Sequence, residues 1–156
     1  MKTPMTINGQ AQLRTELENL ELSLGEIADA IGEAIKHGDL SENADYHANK
    51  NKQGMVLAKI AHIKSRLASA QVIDVTKLPK SSRVVFGTTV TLLNLGTDKR
   101  DVYQIVGEDE ADVASQKLSI TTPVARAMIS REQGEVIEIY GADQLIRYKI
   151  EKVEYI

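Results

Sequence analysis

Apolar residues recur in alternating steps of four and three along the first part of the chain. The series is Leu13, Leu17, Leu20, Leu24, Ile27, Ile31 and Ala34. A heptad pattern of this length is typical of a long helix that packs along one stripe of its surface. At about 1.5 Å per residue, residues 11–36 would span roughly 40 Å. The pattern therefore predicts a long helix that packs against a partner along its length.

A second segment repeats the pattern and can supply that partner. Its apolar positions are Val56, Ile60, Ile63, Leu67 and Ala70, and the same register continued backward reaches Gln53, Asn49 and Tyr46. Only a short polar run beginning at Gly38 separates the two segments, and so short a connection makes the helices antiparallel neighbours. The sequence therefore predicts a two-helix hairpin with residues 38–43 at its tip. The seam between the helices is apolar at the base and polar near the turn.

Opposite charges on the two segments support their pairing. Residues 16–33 contain six acidic residues and no Lys or Arg, whereas residues 50–66 contain five basic residues and no Asp or Glu. An exposed ion pair contributes only about 0.5 kcal/mol, but opposed signs on adjacent helices favour this pairing over others. Complementarity explains the middle of the arms, whereas Lys50 and Lys52 lie close enough to the tip to have a further role.

The periodicity changes after residue 73. Residues 74–83 hold Pro79 and two serines and have no helical period, as is typical of a linker. Beyond them, β-branched or alternating segments predict strands at 83–95, 101–107, 117–122, 135–140 and 145–156. Pro123 suits the first turn of a short helix over residues 123–130.

These elements predict an α+β fold class with two domains. We expect an antiparallel coiled-coil hairpin over residues 1–76, with its functional tip at 38–46. A linker over 77–82 would lead to an antiparallel β-sheet domain with one short helix over 83–156.

Composition excludes several classes of function. The chain has 156 residues, no Cys and a net charge of −3, which excludes disulfides, thiolate metal sites and a general basic field for nucleic acid. With no Trp and one Phe, a base-stacking platform is not indicated. We find neither a signal peptide nor an apolar run of about 20 residues. A cytoplasmic protein that does not enter a membrane is expected.

Asp39 and Glu42, three residues apart at the tip, allow two interpretations. As a capping box, they would satisfy backbone amides at the start of the second helix. Alternatively, both carboxylates could bind one hard cation, which prefers oxygen ligands. An EF-hand is excluded, because the positions that require Gly and Glu are Ala44 and Lys50. Two carboxylates on a convex tip cannot fill six coordination positions, so a metal-binding tip would need a partner that supplies the other ligands.

Two histidines, His37 and His47, flank the tip. They could form a metal pair, but flanking histidines are more often solvated or bonded to carbonyl groups, and we favour that interpretation. The serines near His47 lack the strand–turn–helix setting of a nucleophile, and there is no phosphate-binding glycine loop. Catalysis by this chain alone is not indicated.

The tip and its surroundings resemble a known family. The tip reads GDLSENADYHANKNKQG, preceded by MTINGQAQLRTELENL and followed by AQVIDVTKLP, VVFGTTVTLLNL, YQIVGEDEAD, ITTPVARAMI and KVEYI. These motifs, in this order over nearly the whole chain, are similar to the Gre transcript-cleavage and elongation factors of bacterial RNA polymerase, the GreA type in particular. The resemblance implies an N-terminal antiparallel coiled coil and a C-terminal domain of FKBP-like fold.

The same resemblance implies an accessory factor that is not itself an enzyme. Such factors bind at the rim of the secondary channel of RNA polymerase and pass the coiled coil to the active centre. There they stimulate the polymerase's own cleavage of the 3′ end of backtracked nascent RNA. By position, Asp39 and Glu42 would be the catalytic acids that hold a second, weakly bound Mg²⁺ jointly with the polymerase and help place the attacking water. The isolated protein would bind no cofactor stably.

Supporting roles follow from the same resemblance. The tip-support residues are Ser41, Asn43 and Tyr46. The basic patch, expected to meet RNA phosphates, comprises Lys50, Lys52 and Lys36. Ile35 stands where the family often has a further basic residue, with Lys36 beside it.

A docking segment for the polymerase is also implied. It comprises Thr122, Pro123, Ala125 and Arg126, which can equally be interpreted as a helix start packed on the sheet. The turn GADQ at 141–144 replaces a Pro-Gly-Gly turn common in the family, and SREQG at 130–134 also departs from the family pattern.

Two other functions remain alternatives. One is a secondary-channel regulator of the same fold that does not stimulate cleavage, although such paralogues are expected to alter the tip acids or add to them. The other is a prolyl isomerase or chaperone with a helical handle, for which the scarcity of aromatic residues argues against an aromatic proline pocket. Because the hairpin packs on itself, we expect a monomer.

Overall fold

The computed structural model of the chain describes residues 2–156, which form two compact units. One unit is a helical hairpin over Gln10–Ala70, and the other, rich in strands, combines the residues up to Gly9 with Gln71–Ile156. The hairpin is predicted from the sequence to extend over residues 1–76. The contacts instead place both ends of that range, up to Gly9 and from Gln71 onward, with the strand-rich unit. No helix within residues 2–156 is long and apolar enough to cross a membrane.

The hairpin consists of α1 (Ile7–Lys36) and α2 (Ala44–Ala68). Ile27, Val56 and Ile60 are buried between the two helices. Partly buried apolar residues packed against them are Leu17, Leu20, Leu24 and Ile31. The predicted stripes are confirmed from Leu13 to Ala34 and from Val56 to Leu67, where every stripe residue is at least partly buried, whereas Ala70 lies beyond the end of α2 in a short strand. Burial of the apolar stripe, rather than intrinsic helix propensity, supplies most of the stability of such helices.

The tip end of the hairpin seam is polar, as predicted. Tyr46, Asn49 and Gln53 are half-buried at the positions where the base of the seam has aliphatic residues. Between the arms, Lys64 and Glu21 form an ion pair of 3.9 Å with both side chains largely exposed. Charge complementarity therefore acts at the surface, where it contributes little free energy.

Strands form a five-stranded sheet in the second unit. They are β3 (Thr89–Asn94), β4 (Arg100–Val106), β5 (Lys117–Ser119), β6 (Val136–Tyr140) and β7 (Leu145–Glu154). Their order is β5-β4-β3-β7-β6. All neighbours are antiparallel except β4 and β5, which run parallel. The α+β fold class is confirmed, and the sheet predicted as antiparallel has one parallel pair because the chain crosses back before β5.

Two short strands were not predicted from the sequence. These are β1 (Thr3–Thr6) and β2 (Ala70–Ile73), which form a separate two-stranded sheet. A predicted strand also starts later than expected, because residues 83–88 lie in an irregular segment ahead of β3. Thr6, the last residue of β1, accepts a hydrogen bond of 3.0 Å from the Gly9 amide through its hydroxyl and thereby caps α1.

The core of the strand-rich unit lies between one face of the sheet and α3 (Pro123–Met128). Its most deeply buried residues include Val84, Val90, Leu92, Ile105, Ala125, Met128 and Ile150. Phe86, the single Phe of the chain, is also buried in this core. It is therefore unavailable to line an open aromatic pocket of the kind that a prolyl isomerase needs.

Candidate functional site

The tip of the hairpin is a seven-residue turn between Lys36 and Ala44. Amides of the turn close the end of α1, since Gly38 donates to the Ile35 carbonyl at 3.1 Å. Gly38 has a φ of +75° and Asp39 a φ of +35°. Glycine adopts such angles without steric cost, and Asp is among the few other residues that tolerate them. Two successive residues of this kind turn the chain away from α1.

Asn43 is the N-cap residue of α2. Its side-chain oxygen accepts from the Tyr46 amide at 3.0 Å. Its side-chain nitrogen donates to the Ala34 carbonyl in α1 at 2.7 Å and to the Gly38 carbonyl at 3.4 Å. One carboxamide thus joins the end of the first helix to the start of the second.

The capping-box interpretation of Asp39 and Glu42 is wrong. The second helix begins at Ala44, so both acids precede its N-cap and neither can reach the amides of its first turn as a capping box does. The Asp39 carboxylate accepts a bond of 2.9 Å from the Ser41 hydroxyl. Within residues 2–156, no group donates to the Glu42 carboxylate. Both acidic side chains are exposed.

The tip offers exposed carboxylates without a complete metal site. Within residues 2–156, no group of three or more His, Cys, Asp or Glu side chains is placed to hold an ion. His47 is engaged elsewhere, because its Nε2 lies 3.2 Å from the Ser41 carbonyl oxygen. Tyr46 packs edge-on against the His47 ring, with centroids 5.5 Å apart. The chemistry available here is that of two exposed carboxylates, of which Asp39 accepts one hydrogen bond from Ser41.

Two family models match the chain and divide it close to the two units of the fold. "Transcription elongation factor, N-terminal" matches residues 3–72, and "Transcription elongation factor, GreA/GreB, C-term" matches residues 79–155. The chain belongs to the GreA/GreB family of transcription elongation factors. It is therefore a transcription elongation factor, an accessory protein and not an enzyme.

Individual relatives agree over the full length. Transcription elongation factor GreA of Vibrio parahaemolyticus is 45% identical over 155 residues, covering 99% of both chains. The GreA of Francisella tularensis subsp. novicida is 46% identical, covering 99% of this chain and 97% of its own. Among solved structures, GreA factor homolog 1 of Thermus thermophilus matches with a TM-score of 0.44 and 21% identity, covering 99% of both chains.

In this GreA/GreB family member, the predicted basic patch is exposed. Lys36 pairs with Glu33 at 3.0 Å on the same helix, with both side chains largely in solvent. Lys50 donates to the Gln53 side chain at 3.1 Å. Within residues 2–156, the Lys52 ammonium has no hydrogen-bond or ionic partner. Because the contacts of Lys36 and Lys50 are exposed and local, all three cations can exchange them for a ligand at little cost.

The structure separates the four residues of the predicted docking segment. Thr122 is the N-cap of α3: its hydroxyl accepts from the Ala125 amide at 3.3 Å and donates to the Ser119 carbonyl at 2.8 Å. Ala125 is fully buried in the core, so its methyl group cannot be part of a surface. Pro123 and Arg126 are exposed on this short helix. Only part of the segment is therefore available to a partner.

Asn43 is a predicted tip residue, but the sequence does not predict the bridge that it forms between the helices. The available signal was its position directly before the helical run that starts at Ala44, with an acid, Asp45, in the first turn. That signal predicts the N-cap. The bond to Ala34 depends on the path of the whole turn, which no local pattern specifies.

Proposed function

We propose that this factor stimulates the cleavage of backtracked nascent RNA by bacterial RNA polymerase. The hairpin would enter the secondary channel and bring Asp39 and Glu42 to the catalytic centre of the polymerase. The observation that carries this proposal is that both carboxylates are exposed and neither accepts a backbone amide of α2. Carboxylates that accepted the backbone amides of α2 would not be available to bind a metal ion.

The tip residues fit a shared Mg²⁺ ion. Mg²⁺ takes oxygen ligands in an octahedral arrangement and usually keeps several waters, so one or two carboxylates from a protein are enough. Asp39 and Glu42 would supply those carboxylates, and polymerase groups would supply further ligands. In two-metal sites, such an ion stabilises the attacking and leaving oxygens of a phosphoryl displacement. Ser41 would keep Asp39 oriented through its hydrogen bond of 2.9 Å.

Helix length supports the proposed reach. The 30 residues of α1 extend for about 45 Å at 1.5 Å per residue, so the turn lies far from the other end of the helix. An exposed turn at the end of a packed helix pair is suited to entering a narrow recess. The seam of aliphatic residues behind it keeps the pair rigid along its base.

Exposed cations near the tip suit contact with RNA. Lys50 and Lys52, with Lys36 on the other arm, would attract the phosphates of the RNA 3′ segment without reading its bases. Pro123 and Arg126 would contact the polymerase at the channel rim, with Thr122 holding the start of their helix. The factor would act as a monomer in the cytoplasm, where its polymerase works.

The test uses stalled, backtracked transcription complexes. We expect the double variant Asp39→Asn, Glu42→Gln to bind polymerase like the unmodified protein but to lose stimulated RNA cleavage. Asp45→Asn is the matched control, since it removes a neighbouring exposed acid within the first turn of α2 and should leave stimulation intact.

Two results would contradict the proposal. The first is full stimulation by the double variant. The second is blocked elongation without short RNA products from the unmodified factor, which would identify a channel regulator that does not promote cleavage. Turnover in a prolyl isomerisation assay by the chain alone would favour the alternative of a prolyl isomerase.

A further inference from the structure

Both ends of the Asn43 carboxamide are used, and each serves a different part of the tip. The oxygen accepts the Tyr46 amide and so begins α2. The nitrogen donates to the carbonyls of Ala34 and Gly38, which belong to the end of α1 and to the turn. Capping and bridging are therefore separate tasks of one side chain, and they can be separated by substitution.

The bridge closes the part of the turn that holds both acids. Gly38 and Asn43 are the two ends of a six-residue stretch in which Asp39 and Glu42 lie, and the Asn43 side chain joins these ends. Inside the stretch, the Glu42 amide donates to the Asp39 carbonyl at 3.2 Å. Asp39 is held at a positive φ, which a free chain visits only part of the time. An unbridged turn would therefore sample other conformations and would spread the two carboxylates over more positions.

We propose that Asn43 is the positioning residue of the tip. Its carboxamide holds the turn in the one conformation that presents Asp39 and Glu42 together to a single divalent cation. This inference rests on the proposed function, because ordering the two carboxylates in advance matters only if both bind one shared ion. Preorganisation lowers the cost of binding by removing the ordering of flexible ligands from that step.

Asn43→Ser separates the two tasks. Serine is as good an N-cap as asparagine, so the start of α2 is retained. Its short hydroxyl cannot accept from the helix and also span the turn to α1. Asn49→Ser is the matched control, because the Asn49 side chain donates only to the Asp45 carbonyl of its own helix, at 2.9 Å.

The first measurement needs no polymerase and no metal. We expect the backbone ¹⁵N order parameters of residues 39–42 in the free protein to fall from about 0.8 to below about 0.6 in Asn43→Ser. They should stay unchanged in Asn49→Ser. A turn that remains as rigid as in the unmodified protein would overturn the inference.

The second measurement is the Mg²⁺ dependence of stimulated cleavage. In Asn43→Ser, the Mg²⁺ concentration for half-maximal stimulation should rise about tenfold, the effect of losing a modest part of the preorganisation. The factor concentration for half-maximal stimulation should stay within about twofold, since docking does not use the bridge.

Other outcomes are equally decisive. An unchanged Mg²⁺ dependence overturns the inference, and so does a parallel rise of both concentrations, which would mean that Asn43 only keeps the hairpin folded. The double variant of the tip acids distinguishes the two proposals. If it loses stimulation while Asn43→Ser behaves normally, only the positioning role fails.

Discussion

The backbone amide of Thr6 donates a hydrogen bond of 2.8 Å to the carboxylate of Glu110, which lies 104 residues further along the chain. The Thr6 hydroxyl donates to the other oxygen of the same carboxylate, and the Gly107 amide donates at 3.3 Å to the oxygen that also accepts the Thr6 amide. Thr6 and Glu110 are both buried. A buried acid with three donors around it stabilises the fold chiefly because those donors would otherwise have no acceptor.

Removing that acid should therefore destabilise the strand-rich unit. We expect Glu110→Ala to lower its free energy of unfolding by about 2–4 kcal/mol, since it leaves buried donors unpaired. Glu110→Gln keeps one acceptor oxygen and should cost only about 1 kcal/mol. Urea unfolding followed by tyrosine fluorescence measures both, since four of the five tyrosines lie in this unit. Asp143→Ala, at an exposed turn, is the control and should have no effect; equal midpoints for all three variants would contradict the prediction.

Gly9 is needed to leave room for the same carboxylate. A Cβ at this position would lie 2.3 Å from the Glu110 carboxyl carbon, and Glu110 cannot move away without breaking its hydrogen bonds. We therefore expect Gly9→Ala to destabilise the protein by about 1–2 kcal/mol, although alanine is the better helix former.

Gly25, in the same helix, provides the control for Gly9→Ala. A Cβ on Gly25 would meet nothing within 4 Å. Gly25→Ala should therefore stabilise the hairpin by about 1 kcal/mol through helix propensity alone. Thermal unfolding of both variants checks the opposite signs, and a gain in stability for Gly9→Ala would show that the carboxylate does not restrict this site.

The ion pair between Arg100 and Glu151 makes the stability of the protein depend on pH in a predictable direction. Two hydrogen bonds join them, at 2.7 and 3.1 Å. The bonds from Arg100 are the main cause that lowers the pKa of Glu151, and its positive charge acts in the same direction. A carboxyl whose pKa is lowered on folding adds stability above its unfolded pKa of about 4.3, and that stability is lost as the pH falls through the folded value.

An NMR titration of the Glu151 carboxyl carbon measures this directly. The midpoint in the unmodified protein should lie below that in Arg100→Gln. Arg147→Gln removes a different ion pair of the same sheet, with Glu138 at 3.2 Å, and should leave the Glu151 midpoint in place. Because both side chains of the Arg100 pair are solvent-accessible, high salt should reduce the difference. Identical midpoints in all three proteins would be inconsistent with the pairing.

Lys50 should matter for RNA and not for folding. Lys50→Gln removes an exposed cation near the tip, so we expect weaker stimulation of cleavage, by about threefold, and a smaller dependence on salt. Lys59→Gln removes another exposed charge further along α2 and should behave like the unmodified protein. The readouts are the stimulated cleavage rate at several salt concentrations and the unfolding temperature. Equal losses in both variants would indicate a general charge effect.

Sequence patterns predicted the elements whose signal is local. The stripe that contains Ile27 and Ile60 repeats with the helical period, so the hairpin could be predicted without its partner contacts. Pro123 marked the start of α3 for an equally local reason, since proline suits the first turn of a helix.

Pairings between distant segments could not be predicted in the same way. The strand at Thr3–Thr6 has only four residues, too few for a local pattern to predict it. Its partner is the strand at Ala70–Ile73, which only the folded chain brings beside it. The prediction of the N-cap residue of α2 was wrong for a related reason. Asp39, Ser41 and Asn43 are all good N-cap residues, and the choice between them depends on the path of the whole turn, in which Gly38 and Asp39 have positive φ.

The change from an aliphatic to a polar seam along the hairpin has a dynamic consequence. Apolar burial is concentrated around Ile27, Val56 and Ile60, whereas the last turns meet through Tyr46 and Asn49. Segments with little apolar burial open locally at a lower free energy than those with much. The helix pair is therefore packed most firmly around its apolar seam, and its last turns near the tip open at a lower free energy, while the turn itself keeps its shape through the Asn43 bridge.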